Sequence, residues 1–200
     1  MDTDTERSTV EVFEKLADDV ERCYQALFTA FDQGTVDEDG SVDADYEYHA
    51  RMLIRAIFAY IEGVTFSVKA SAAKVCLERD IEISDAERFF SIDREFMISN
   101  TGNVVERSAH IRLADNVRFA FNLQERACGM NSKFDANQSW WSDFRSSIRV
   151  RDRLTHPKMP GDLDVDGDEI IRAQRAYNGF NKQLQEYGKE DQPQLPESVG

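Results

Sequence analysis

The segment that most constrains the fold is a long apolar stretch, MLIRAIFAYIEGVTFSVKASAAKVCL, at positions 52–77. Its apolar residues recur at helical spacing and cover more than one face. The pattern predicts one helix over about residues 44–79, roughly 50 Å long at ~1.5 Å per residue. A helix that is apolar on several sides is normally covered by other helices. We therefore expect an all-α fold with this long helix at its centre.

Helical periodicity runs through most of the remaining chain, in which glycine and proline are scarce and no strand pattern competes. The sequence predicts a bundle of five or six helices. Besides the long helix, they are expected at about 8–31, after the capping box of Ser84 and Glu87, and at 104–128, 140–155 and 168–187. The helical domain is expected to span residues 8–187, with disordered segments at 1–7 and 188–200.

Cysteine usage and hydropathy exclude several classes of protein. Cys23, Cys76 and Cys128 are far apart and form no CxxC pair, which argues against a zinc knuckle and a disulfide framework. No apolar run approaches the ~18–20 residues that span a bilayer. The N-terminus, MDTDTERSTVEVFE, is acidic where a signal peptide would be basic or apolar. We expect a cytoplasmic protein with no membrane partner.

Charge is distributed unevenly along the chain. The formal net charge is −14, and residues 1–50 hold fifteen acidic and three basic residues. Residues 51–200 have a net charge of only −2. The acidity therefore does not prevent a local basic site in the later part of the chain.

One basic segment, residues 139–158, stands out from this background with a net charge of +3. Its cations, which we predict to bind an anion such as the RNA backbone, are Arg145, Arg149, Arg151, Arg153 and Lys158. The segment also contains His156. Histidine transfers protons near neutral pH, and arginine binds phosphate through a planar fork of donors. The two residue types together suit the cleavage of a phosphodiester.

The spacing of these residues places them near the end of one helix. Asp152 and His156 are four positions apart and share a helical face, so Asp152 can orient the imidazole. Arg151 and His156 are roughly 140° apart around an ideal helix. Pro157 ends the helix just before His156, which leaves the imidazole free to turn towards Arg151. A helix C-terminus also favours the imidazolium form.

At these residues the chain resembles the HEPN domains (higher eukaryotes and prokaryotes nucleotide-binding). Arg151-Asp-Arg-Leu-Thr-His156 fits their Arg-x4–6-His signature, in which a polar residue, here Asp152, usually follows the arginine. The long apolar helix with an internal acid, Glu62, is also similar to theirs. The resemblance extends over about residues 8–187, but only the Arg-x4-His segment is specific.

The resemblance implies a metal-independent endoribonuclease without a cofactor. In that family the RNA 2′-oxygen attacks the adjacent phosphate and leaves a 2′,3′-cyclic phosphate and a 5′-hydroxyl. It implies Arg151 and His156 as catalytic residues, supported by Asp152, in a site completed across a homodimer. Many members are components of defence or toxin–antitoxin systems. One subfamily is controlled by a nucleotidyltransferase antitoxin that modifies a tyrosine, but here that position is Lys158.

Three alternatives stay open at the level of sequence. Glu62 lies in the most apolar part of the long helix and needs a partner, which is either an arginine of the motif helix or solvent at a gap in the bundle. Arg51 and Arg55 are nearby candidates for that partner. The run Asp162-x-Asp164-x-Asp166-Gly167 begins like a calcium loop but lacks its later ligands, so we interpret it as an acidic helix cap. Finally, the alternative to a ribonuclease is a non-catalytic HEPN-like module that binds a protein or a nucleotide and has a regulatory role.

Overall fold

A computed structural model describes residues 3–34, 43–130 and 134–190 of the chain. The structure is mostly helical, and the prediction of an all-α fold with five or six helices is confirmed. The six α-helices are α1 (Thr3–Gln33), α2 (Ala44–Glu78), α3 (Asp85–Ser91), α4 (Leu113–Cys128), α5 (Ser139–Thr155) and α6 (Gly167–Glu190). A short 3₁₀ helix, Pro160–Leu163, precedes α6.

The helix boundaries follow the sequence signals closely in most places. The long helix α2 has the predicted extent to within one residue. The capping box is present, because the Ser84 hydroxyl accepts from the Glu87 backbone N–H and the Glu87 carboxylate accepts from that of Ser84. Helix α1 begins five residues earlier than expected, since no proline or glycine stops it, and so covers part of the segment predicted to be disordered. The tail beyond residue 190 lies outside the described residues.

The prediction of one helix over 104–128 is wrong in its first part. Strands β1 (Arg94–Ile98) and β2 (Val104–Ser108) form an antiparallel hairpin, and α4 begins only at Leu113. The turn between the strands is closed by a hydrogen bond from the Ser99 backbone N–H to the Asn103 carbonyl, 2.8 Å. Gly102 in this turn has φ +79°, a conformation that few other residues adopt. The hairpin replaces the first turns of the predicted helix.

The chain divides into two compact units, each with its own packed side chains. The first comprises Met1–Val64 and Ala136–Gly179, and the second comprises Thr65–Asp135 and Phe180–Gly200. In the first unit, Phe58 of α2 stacks on Phe144 of α5 with ring centroids 6.0 Å apart, and both rings are buried. In the second unit, the core is a cluster of small and aliphatic side chains: Ala72, Ala73, Cys76, Leu123 and Ala127.

Candidate functional site

All the predicted site residues lie in the first unit: Glu62 is on α2, and the others lie along α5 or within three residues of its C-terminal end. The helix ends at Thr155, as the position of Pro157 predicts. His156 is the C-cap residue, with φ −128° and ψ 58°, and its backbone N–H donates to the Asp152 carbonyl at 3.0 Å. Its side chain is exposed. Within residues 3–34, 43–130 and 134–190, the imidazole has no hydrogen-bond or ion-pair partner.

Arg151 is held by two carboxylates. Its Nη2 donates to Oε1 of Glu62 on α2, and its Nη1 donates to Oδ1 of Asp152 at 2.9 Å. The side chain of Arg151 is 28% exposed, and that of Glu62 is 39% exposed. Of the two alternatives for Glu62, the structure therefore has the ion pair with the motif helix. Hydrogen bonds to two carboxylates restrict the direction of the guanidinium.

Asp152 contacts Arg151, whereas the sequence predicts that it orients His156. Its carboxylate accepts the hydrogen bond from Arg151, and no hydrogen bond joins it to the imidazole among the described residues. The reason is that His156 leaves the helical conformation, so the helical i, i+4 spacing no longer governs its side chain. Asp152 thus supports the arginine of the motif in this structure.

The remaining cations fall into two groups. Arg153 is used within the fold, because its Nη2 donates to Oε2 of Glu169 at 2.5 Å and its Nη1 donates to the Asp162 carbonyl at 3.2 Å. The other three cations have exposed side chains and no ion pair in the described part of the chain; they are Arg145, Arg149 and Lys158. The exposed members are the ones available to an anion.

Two arginines of α2 contact the end of the motif region in a way that the sequence did not indicate. Arg55 Nη2 donates to the Leu154 carbonyl at 2.8 Å, and Arg51 Nη1 donates to the Leu163 carbonyl at 3.4 Å. The carbonyls at a helix C-terminus lack intrahelical donors, so Arg55 satisfies one of them and complements the helix dipole. Arg55 and Glu62 are seven residues apart, or about two turns, and both bind α5. That spacing is the signal that sequence reasoning missed.

The acidic run after the motif forms caps, in agreement with the interpretation from sequence. Asp162 Oδ2 accepts from the backbone N–H groups of Lys158, 2.7 Å, and Met159, 3.1 Å. These backbone hydrogen bonds lower the pKa of Asp162. Asp166 Oδ1 accepts from the Glu169 backbone N–H at 2.7 Å, at the start of α6. Among the described residues, no group of three or more His, Cys, Asp and Glu side chains is arranged to hold a metal ion.

The comparisons with known proteins give no match. No protein-family model matches the chain, and neither a curated protein nor a solved structure matches it. In the described part of the chain, no helix is both long enough and apolar enough to cross a membrane.

Proposed function

We propose that this protein is a metal-independent endoribonuclease of the HEPN type, with Arg151 and His156 as its catalytic residues. The observation that carries the proposal is the contrast at the end of α5. Arg151 is fixed by Glu62 and Asp152, and His156, five residues later, has an exposed imidazole without a partner among the described residues. Phosphodiester cleavage needs a group that binds the phosphate and a group that transfers protons, and Arg151 and His156 are side chains of these two kinds.

The guanidinium of Arg151 keeps donors for a substrate despite its two carboxylate partners. An arginine side chain has five N–H donors, and the bonds to Glu62 and Asp152 use one on each terminal nitrogen. The remaining donors can bind the non-bridging oxygens of a phosphate. They can also stabilise the extra negative charge that develops on those oxygens in the transition state.

His156 supplies proton transfer in this proposal. The RNA 2′-hydroxyl loses a proton as its oxygen attacks the adjacent phosphorus. The bond from phosphorus to the 5′-oxygen then breaks, and that oxygen gains a proton. One imidazole takes the first proton and a second gives the other, so a homodimer that brings together His156 from two copies provides both.

The exposed cations give the site a means of holding RNA. Arg145 and Arg149 are one turn apart on α5, and Lys158 follows His156. Contacts of this kind bind the phosphate backbone and do not read sequence. We propose RNA as the substrate, the cytoplasm as the location, and a defence or toxin–antitoxin system as the context, with an antitoxin or nucleotidyltransferase as the partner.

The test is cleavage of total RNA by the purified protein, followed by end-group analysis of the fragments. We expect 2′,3′-cyclic phosphate and 5′-hydroxyl ends, in the presence and absence of EDTA. His156→Ala and Arg151→Ala should each lower the rate by about a hundredfold or more. Arg151→Lys keeps the positive charge and tests whether the planar guanidinium is needed. His110→Ala is the matched control for His156→Ala, because the side chain of His110 is also exposed. Equal rates for His156→Ala and the parent protein would overturn the proposal.

One observation favours a second candidate, a non-catalytic protein- or nucleotide-binding module. The charge of Arg151 is opposed by both Glu62 and Asp152, which weakens its attraction for a phosphate. In this case the parent protein and both variants should leave RNA intact. A binding measurement with nucleotides and with short RNA then distinguishes the module from the nuclease.

A further inference from the structure

A groove in the first unit runs between α1 and α6, with α2 beneath it. Two adjoining cavities of about 230 and 280 Å³ form it, and they share Tyr24 and Gln174 as lining residues. On α1 the lining extends from Ala17 to Phe31, a distance of about 21 Å at ~1.5 Å per residue. We call this feature the α1–α6 groove.

Large apolar side chains line one end of the α1–α6 groove and remain exposed. Phe28 is 55% exposed, Phe31 is 57% exposed, and Ile171 on the opposite wall is 45% exposed. Tyr24, at 42%, continues the same row of α1 one turn earlier. Aromatic side chains clustered in a concave, solvent-exposed site are typical of a protein-binding surface.

A row of acidic residues borders the groove along α1. Glu14, Asp18, Glu21 and Asp32 follow helical spacing beside the row of Tyr24 and Phe28, and all four are exposed. In the described ranges of the chain none of the four forms an ion pair, and Glu21 accepts a hydrogen bond only from Gln25 on the same helix, 2.7 Å. The α1 wall of the groove is therefore both apolar and negatively charged.

We infer that the α1–α6 groove binds a basic amphipathic helix of a partner protein. A groove between two neighbouring helices, with apolar residues at its floor, accepts a third helix through anchors at i, i+3, i+4 and i+7. The groove is long enough for about fourteen residues of such a helix. Lysine and arginine beside the anchors complement the acidic row, which guides association and sets the orientation. This inference does not depend on the proposed ribonuclease activity.

Binding of designed peptides to the full-length protein tests the inference. The probe is an 18-residue helix with leucine at i, i+3, i+4 and i+7 and lysine elsewhere. One control has the same composition in an order that scatters the leucines, and another has glutamate in place of lysine. By fluorescence anisotropy at about 0.15 M salt, where charges more than ~8 Å apart are screened, we expect the striped basic peptide to bind at least tenfold more tightly than either control.

Three variants locate the binding site. Phe28→Ser should weaken binding at least tenfold, and Glu21→Lys should slow association, because they remove an apolar anchor and reverse a charge of the acidic row. Leu77→Ser is the matched control, since Leu77 is 47% exposed on α2 in the second unit. Circular dichroism confirms that each variant is folded.

Two results would overturn the inference. One is unchanged binding of the striped peptide by Phe28→Ser. The other is self-association of the parent protein in sedimentation velocity that Phe28→Ser abolishes, because a second copy is then the occupant of the groove.

Discussion

Glu62 and Arg151 form an ion pair across 89 positions of the chain. Glu62 lies on α2 and Arg151 lies one turn before the end of α5. Both side chains are partly exposed, so the pair adds little to global stability, about 1 kcal/mol or less. Its main effect is to restrict the rotamers of Arg151 and so to set the direction of the guanidinium. The pair thus links the long apolar helix to the chemistry proposed for the motif.

Glu62→Ala should lower RNA cleavage by about ten- to a hundredfold, because a misplaced guanidinium loses transition-state contacts. Glu62→Gln retains an acceptor oxygen and should lose less. Since Glu62 acts by positioning, kcat should fall more than KM rises. Single-turnover kinetics measure the rate, and urea unfolding should show a loss of about 1 kcal/mol or less. Faster cleavage by Glu62→Ala would instead mean that Glu62 masks Arg151.

Arg149 and Arg153 are one turn apart on α5 but should respond differently to replacement by alanine. Arg149 is exposed without an ion pair in the described part of the chain, so Arg149→Ala should weaken RNA binding and reduce the salt slope by about 0.7. Arg153 bonds to Glu169 and to the Asp162 carbonyl. Arg153→Ala should therefore lower the free energy of unfolding by about 1 kcal/mol. Both variants are measured by salt titration of RNA binding and by urea unfolding. Each variant is then the control for the other.

Helix positions could be predicted from the sequence because their causes are local. The apolar periodicity of α2, the capping box of Ser84 and Glu87, and the stop at Pro157 each depend on a few neighbouring residues. The candidate motif was found for the same reason. The contacts around the motif could not be predicted in this way. The contact of Arg55 with the Leu154 carbonyl, for example, depends on how two helices pack.

The hairpin and the environment of Lys69 show why the rest could not be predicted. The strands are held by contacts that the sequence does not show, such as the edge-on contact of Phe96 with Phe89, with centroids 4.4 Å apart. Lys69 is fully buried and donates to Asp93 and to Asn116, 2.8 Å. Burial lowers its pKa, and the ion pair with Asp93 opposes that effect. Sequence patterns alone favour an exposed lysine at such a position.

The carboxylate of Glu87 should stabilise the fold only at pH values at which it is ionised. Hydrogen bonds from Ser84, with a contribution from Arg126 at 2.5 Å, hold the pKa of Glu87 below its usual value of 4.5. A carboxylate with a lowered pKa stabilises the folded state above the unfolded value, and this stability is lost as the pH falls through the folded pKa. At pH 7, Glu87→Gln should lower the free energy of unfolding by about 1 kcal/mol.

The predicted difference in the free energy of unfolding between the parent protein and Glu87→Gln should shrink below about pH 4.5. It should vanish once Glu87 is protonated in the folded state. Urea unfolding from pH 7 to pH 3 measures it. Glu82→Gln, which alters an exposed carboxylate, controls for the change in net charge. A difference that stays constant over this range would show that the ionised form of Glu87 contributes no stability.

Gly179 lies in α6, where alanine would ordinarily stabilise a helix by about 1 kcal/mol. Here a Cβ at Gly179 would overlap the Cγ and Cβ atoms of Trp140, whose side chain is almost fully buried. Forcing an indole from a packed site typically costs about 1–3 kcal/mol, so Gly179→Ala should destabilise the protein and change the fluorescence of Trp140. Gly167→Ala is the control, because nothing lies within 4 Å of its added Cβ. If both variants unfold at the same urea concentration as the parent, the contact with Trp140 does not limit this position.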